Sequence, residues 1–131
     1  MRVFVTGATG FIGTELVKEL IEVGHQVRGL TRSDTGVEQL KAVGAEVHLG
    51  DLTDLDRLRS GATGMDAVVH LAFGHDFSKF AQNAADEIKA IEALGSVMEP
   101  GKLLVGKSAE HDSFLTRLCT GIPIVALFAA I

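Results

Sequence analysis

Val3-Phe4-Val5-Thr6-Gly7-Ala8-Thr9-Gly10-Phe11-Ile12-Gly13 is the stretch that decides the architecture. Val3-Phe4-Val5 is a short continuous apolar run ended by a glycine, the pattern of a strand buried on both faces of a parallel sheet. A helical pattern follows at once: Ile12, Leu16, Leu20 and Val23 recur on one face, and Glu15, Lys18, Glu19 and Glu22 fill the other. Gly24 stands where a helix stops as its C′ residue. The glycines at 7, 10 and 13 therefore lie between a strand and a helix, and each has its own task. Gly7 allows the sharp turn out of the strand, Gly10 lets a ligand approach the backbone, and Gly13 lets the helix pack closely on the sheet. A glycine turn in that position presents backbone amides and the positive helix end to a pyrophosphate. A Gly-rich turn with no ligand is the competing reading, and the strand–turn–helix context favours dinucleotide binding.

Outward from this unit the same alternation repeats. Gln26-Val27-Arg28-Gly29-Leu30 reads as a second strand leading into the polar turn Thr31-Arg32-Ser33-Asp34. Thr35 with Glu38 forms a capping-box pattern for a short helix ending at Gly44. Glu46-Val47-His48-Leu49 is a third strand closed by Gly50-Asp51, and Thr53 is the expected cap of a helix carrying Leu55 and Leu58. Asp66 to Ala72 reads as a fourth strand. From about Phe77 to Met98 runs the longest helical pattern, with Phe80, Ala84, Ile88, Ile91 and Leu94 on one side. Pro100-Gly101 breaks it before a fifth strand, Leu103-Leu104-Val105. Strands alternating with helices over short connections specify parallel pairing with right-handed crossovers. The predicted fold is a doubly wound α/β Rossmann domain of about five strands in the order 3-2-1-4-5, with its crevice above the first and fourth strands. The expected division is a dinucleotide-binding domain over residues 1–106 and a divergent tail, 107–131, packed on or beside it.

Composition bounds the partners. The 131 residues suit one domain, and a chain of this size buries about two-thirds of its unfolded surface. A net charge of -5 offers no basic stripe for nucleic acid or for an anionic membrane surface. Cys119 is the single cysteine, so no internal disulfide forms, and no Cys/His spacing points to a metal. Met1-Arg2-Val3 runs straight into a strand with no signal-peptide pattern, and the apolar stretch Ile122–Ile131 is too short to span a bilayer. A cytoplasmic setting is expected.

The sequence Val5 to Gly13, with its three-and-three glycine spacing, resembles the short-chain dehydrogenase/reductase superfamily. More narrowly it is similar to the NAD-dependent epimerase/dehydratase-type members, extended or atypical. Gly50-Asp51-Leu52-Thr53 and Val69-His70-Leu71-Ala72 are similar to further segments of that family. The resemblance covers residues 1 to about 105. It implies that Asp51 hydrogen-bonds the adenine amino group, that Leu52 flanks the ring, and that Ala72 and Phe73 lie near the nicotinamide ribose. A turn or cap role is the alternative for Asp51. His70 reads as a satisfied strand-end histidine.

The cofactor-binding candidates are thus Gly7, Ala8, Thr9, Gly10, Phe11, Ile12, Gly13, Arg32, Asp51, Leu52, Ala72 and Phe73. Arg32 decides between the two nicotinamide cofactors. An acid at the end of the second strand binds both ribose hydroxyls, whereas a cation there suits a 2′-phosphate. Thr31 occupies the acid's place and Arg32 follows, so NADP is preferred over NAD, with Arg28 as a second available cation. A solvated surface arginine is the competing reading.

The family's catalysis requires a tyrosine tuned by a lysine four residues on, with a Ser or Thr orienting the substrate oxygen. Ser108, after the fifth strand, is the candidate for the last role, against the reading of an exposed loop serine. The chain contains no Tyr at all. The resemblance fades near Lys107, and the expected product is a chain truncated before Tyr-x-x-x-Lys and catalytically incomplete. A non-catalytic dinucleotide-binding regulatory or redox-sensing module is the alternative. The substrate is not readable. An exposed edge at the fifth strand, unless the tail folds over it, predicts a homodimer or aggregation.

Overall fold

The computed structural model describes residues 1–51, 53–71, 89–98, 103–106 and 124–126, with backbone only for 11, 12, 103–106 and 124–126. The elements alternate as the pattern requires: β1 (Arg2–Thr6), α1 (Phe11–Glu22), β2 (Gln26–Thr31), α2 (Asp34–Ala42), β3 (Glu46–Leu49), α3 (Leu55–Ala62), β4 (Ala67–His70), β5 (Leu103–Gly106) and β6 (Ile124–Ala126). Residues 89–96 are helical as well. Every strand pair is parallel, and the sheet order is β3-β2-β1-β4-β5-β6. The predicted order of the first five strands is observed.

The sixth strand is the addition. Ile124–Ala126 pairs with Leu104–Gly106 in register. Periodicity could not announce so short a strand, because three apolar residues carry no period. It covers the edge of β5, and with it the exposed edge that motivated pairing between copies.

Central strands of such a sheet are buried on both faces, and β1 is so: Val3, Phe4, Val5 and Thr6 are all buried. Alternation sends them to two cores. On one side Val3, Val5, Val27 and Ala67 meet Ala8, Val17 and Leu40, with Leu20 and Ile21 packed against them. On the other, Phe4, Leu30 and Val68 meet Leu58, Ala62, Met65, Ala90, Ile91, Leu94 and Met98. Helices thus cover both faces, α1 and α2 on one, α3 and residues 89–98 on the other.

Three local readings change. The buried face of α1 centres on Val17, which is 1% exposed, whereas Val23 is 75% exposed. Val23 is the C-cap, past the last turn that touches the sheet, and Gly24 follows it at φ 99°, as a C′ glycine should. The cap of α2 is Ser33, whose hydroxyl accepts from Gly36 N at 3.0 Å, in place of the Thr35/Glu38 box. The cap of α3 is Asp54, accepting from Arg57 N at 3.3 Å, in place of Thr53.

Candidate functional site at the carboxyl edge of the sheet

The strand order reverses between β1 and β4, and ligands of doubly wound sheets sit outside the carboxyl ends of the strands at that point. The glycine turn is there. Gly7 adopts φ 67°, a conformation that side chains disfavour, and its carbonyl accepts from Gly10 N at 3.1 Å to close the turn. A Cβ on Gly13 would run into the Gly7 carbonyl oxygen, with Gly7 C at 2.9 Å and Ala8 Cα at 3.0 Å. Two of the glycines are therefore required by the chain's own geometry. Gly10 is different. Its φ of -74° and ψ of 176° suit any residue, and a Cβ there meets only the Gly7 oxygen, at 3.3 Å. It faces outward and is exposed, while Ala8 is buried in the core and offers a ligand only its backbone.

Among the described residues, the helix that starts at Gly10 has no side-chain cap, and no acid stands in its first turn. Thr14 does not supply one: its hydroxyl donates to Gly10 O at 2.7 Å. The first amides of a helix have no intrahelical acceptors and carry the positive end of its dipole. Here they face the crevice beside an exposed glycine without a Cβ. That cradle fits the pyrophosphate of a dinucleotide.

Beneath the turn lies a pair that motif reading missed. Thr6 and His70 are both fully buried, and Thr6 Oγ1 is 2.7 Å from His70 Nδ1. The same hydroxyl accepts from Leu71 N at 3.2 Å, tying the ends of β1 and β4 together. Burial lowers the His70 pKa to about 4, so the ring is neutral. Its Nε2 is buried with no hydrogen-bond partner among the described residues. A polar residue ending each of two paired apolar strands, Thr6 opposite His70, was the available signal.

Arg32 and Asp51 come together at the ends of β2 and β3. The register pairs Thr31 with Leu49, and Gly50 N donates to Thr31 O at 3.0 Å, so the next residue on each side is adjacent. Arg32 Nη1 donates to Asp51 Oδ2 at 3.0 Å. Asp51 Oδ1 accepts from Thr53 N at 3.1 Å and Thr53 Oγ1 at 3.3 Å, a turn-forming role. Its pKa is lowered, first by the Thr53 amide, against a desolvation effect that raises it, and further by Arg32. Arg28 stays apart. Its Nη1 donates to Gly61 O at 3.1 Å, and its Nε lies 3.2 Å from the Glu46 carboxylate. Leu52, Ala72, Phe73 and Ser108 lie outside the described residues, as do the side chains of Phe11 and Ile12.

A glycine turn feeding an uncapped helix at the switch point of a doubly wound sheet defines a nucleotide-binding domain. Residues 3–97 match the NAD dependent epimerase/dehydratase family, and the chain belongs to that family. It is a dinucleotide-binding domain of that family. An uncharacterized protein of Schizosaccharomyces pombe is 47% identical over 98 residues, covering 75% of this chain and 33% of that protein. An uncharacterized protein of Saccharomyces cerevisiae is 50% identical over 96 residues, covering 72% of this chain and 32% of that protein. Among solved structures, the yeast methylglyoxal/isovaleraldehyde reductase complexed with NADPH superposes with a TM-score of 0.67 at 25% identity, covering 82% of this chain and 37% of that one. The chain thus spans about a third of the length of these relatives. Among the described residues no helix is long and apolar enough to cross a membrane.

Proposed function

We propose that residues 1–106 bind NADP in preference to NAD, and that the 131-residue chain does not turn over substrate by the family's tyrosine mechanism. The observation that carries the binding half is the open amino end of α1 behind Gly10. In this reading the amides of Gly7 to Gly13 and the helix end hold the pyrophosphate. Arg32 takes the 2′-phosphate, Asp51 and Leu52 border the adenine, and Ala72 and Phe73 border the nicotinamide ribose. The NADPH held by the structurally similar yeast reductase supports the choice of cofactor. When bound, the nicotinamide supplies hydride transfer, and the chain's part is to bind and orient it.

The catalytic half rests on the sequence: with no Tyr, the chain lacks the family's proton donor. Such a donor contributes about 10²–10⁴-fold. Ser108 would be left to orient a substrate oxygen alone. That same lack favours a second reading, a dinucleotide-binding regulatory or redox-sensing module without catalysis. A homodimer would form along the outer edge of β6, which has no neighbouring strand among the described residues. The test is titration of the chain with NADPH and NADH by nicotinamide fluorescence, with Gly10→Val beside the parent. Saturable binding that Gly10→Val abolishes is expected. Equal binding by both proteins would overturn the site. Steady NADPH oxidation with a carbonyl substrate would overturn the catalytic half.

A further inference from the structure

We infer that Asp51 is a specificity-determining residue: by engaging Arg32 it holds back affinity for the 2′-phosphorylated cofactor relative to the unphosphorylated one. This rests on the reading that Arg32 receives the 2′-phosphate.

The two partners of the Arg32–Asp51 pair are held very differently. Asp51 is fixed from its own turn, because one carboxylate oxygen takes both the amide and the hydroxyl of Thr53 and its carbonyl accepts from Asp54 N at 3.0 Å. Arg32 has a side chain that is 79% exposed, and Asp51 is its single side-chain partner among the described residues. The aspartate is therefore the anchor and the arginine the arm. A 2′-phosphate arriving at the end of β2 competes with an existing carboxylate for the same guanidinium. A ribose 2′-hydroxyl has no such contest, because it carries no charge to draw the arginine away. The contest costs only what an exposed ion pair is worth, so the expected effect is a tuning of preference and not a switch.

Asp51→Asn is the informative substitution. The amide oxygen still accepts from Thr53, so the turn is kept, while the charge that holds Arg32 is gone. Dissociation constants for NADPH and NADH are measured by fluorescence titration at low salt for the parent, Asp51→Asn, Arg32→Gln and the double variant. Asp56→Asn serves as the charge control. Asp56 pairs with Arg59 on α3, 3.0 Å away, with a side chain that is 96% exposed, and its loss changes net charge equally.

The expected result is that Asp51→Asn raises affinity for NADPH relative to NADH about two- to fivefold, the ratio cancelling any adenine contact that the two cofactors share. The gain disappears in the Arg32→Gln background, shrinks at about 0.5 M salt, and is absent in Asp56→Asn. Three results overturn the inference alone. One is an equal change for both cofactors. Another is selective weakening of NADPH, which would make Asp51 a guide for Arg32. The third is a gain that persists without Arg32, which would be direct repulsion of the phosphate. If instead Arg32→Gln leaves the ratio of the two constants as it was, the assignment of the 2′-phosphate to Arg32 falls, and this inference with it.

Discussion

The amino ends of α2 and α3 are closed by side chains of the protein itself, and among the described residues the amino end of α1 is not. Ser33 caps α2 with Asp34 in its first turn, and Asp54 caps α3 with Asp56 in its first turn. Both helices satisfy an orphan amide with a side-chain oxygen and complement their dipole with an acid. At α1 the cap position is Gly10, no side chain accepts among the described residues, and the first turn holds no acid. All three helices follow parallel strands of one sheet, so the fold does not impose the difference. Leaving a helix end open forgoes about 1 kcal/mol of capping. That loss has a use where an outside anion takes the place of the cap.

The sharpest way to break the comparison is to give α1 what its neighbours have. Gly10→Asp places a capping carboxylate at an extended backbone position that accepts side chains, where its Cβ meets only the Gly7 oxygen at 3.3 Å. Dinucleotide affinity should fall at least about a hundredfold, equivalent to about 2.7 kcal/mol, by titration. Unfolding free energy should stay within about 1 kcal/mol of the parent. A variant that bound as before would show the open helix end to be unused.

The next test concerns what lies beneath the turn. His70 is neutral in the fold down to about pH 4, whereas in the unfolded chain it gains a proton near 6.5. Its folded pKa is thus depressed, so acidification through that window favours the unfolded state. The contribution is intact above about 6.5 and lost progressively down to about 4, by up to about 3 kcal/mol. Urea unfolding at pH 7 and at pH 4.5 should show the loss, and His70→Leu should flatten it. An unchanged slope in that variant would assign the acid sensitivity elsewhere.

Gly13→Ala separates the glycines that serve the chain from the one that serves a ligand. Its Cβ collides with the Gly7 carbonyl, so overpacking should cost about 1–3 kcal/mol in thermal or urea unfolding. Gly10 variants should not share that cost. The smallest expected effect is at the closed helices. Ser33→Ala and Asp54→Ala should each lower stability by about 1 kcal/mol and leave dinucleotide affinity unchanged. A change in affinity in either would mean that those caps also act on the crevice.

The sequence by itself determined the parallel sheet, the order of its first five strands and the glycine turn. Those follow from information local to a few residues: apolar runs of strand length, helical spacing, and a glycine at a turn. It also marked Arg32 and Asp51 separately as candidates. The tertiary structure alone decided what joins across the chain. It paired Arg32 with Asp51, 19 residues apart, and Thr6 with His70, 64 residues apart. It chose Ser33 and Asp54 over neighbours with equally suitable side chains, and turned Val17 inward and Val23 outward. It also recruited Ile124–Ala126 as a sixth strand. The reason is common to all of these. Spacing along the chain sets which residues share a face, but strand register and the angle at which each helix leaves the sheet set which of them meet, and both depend on packing between distant segments.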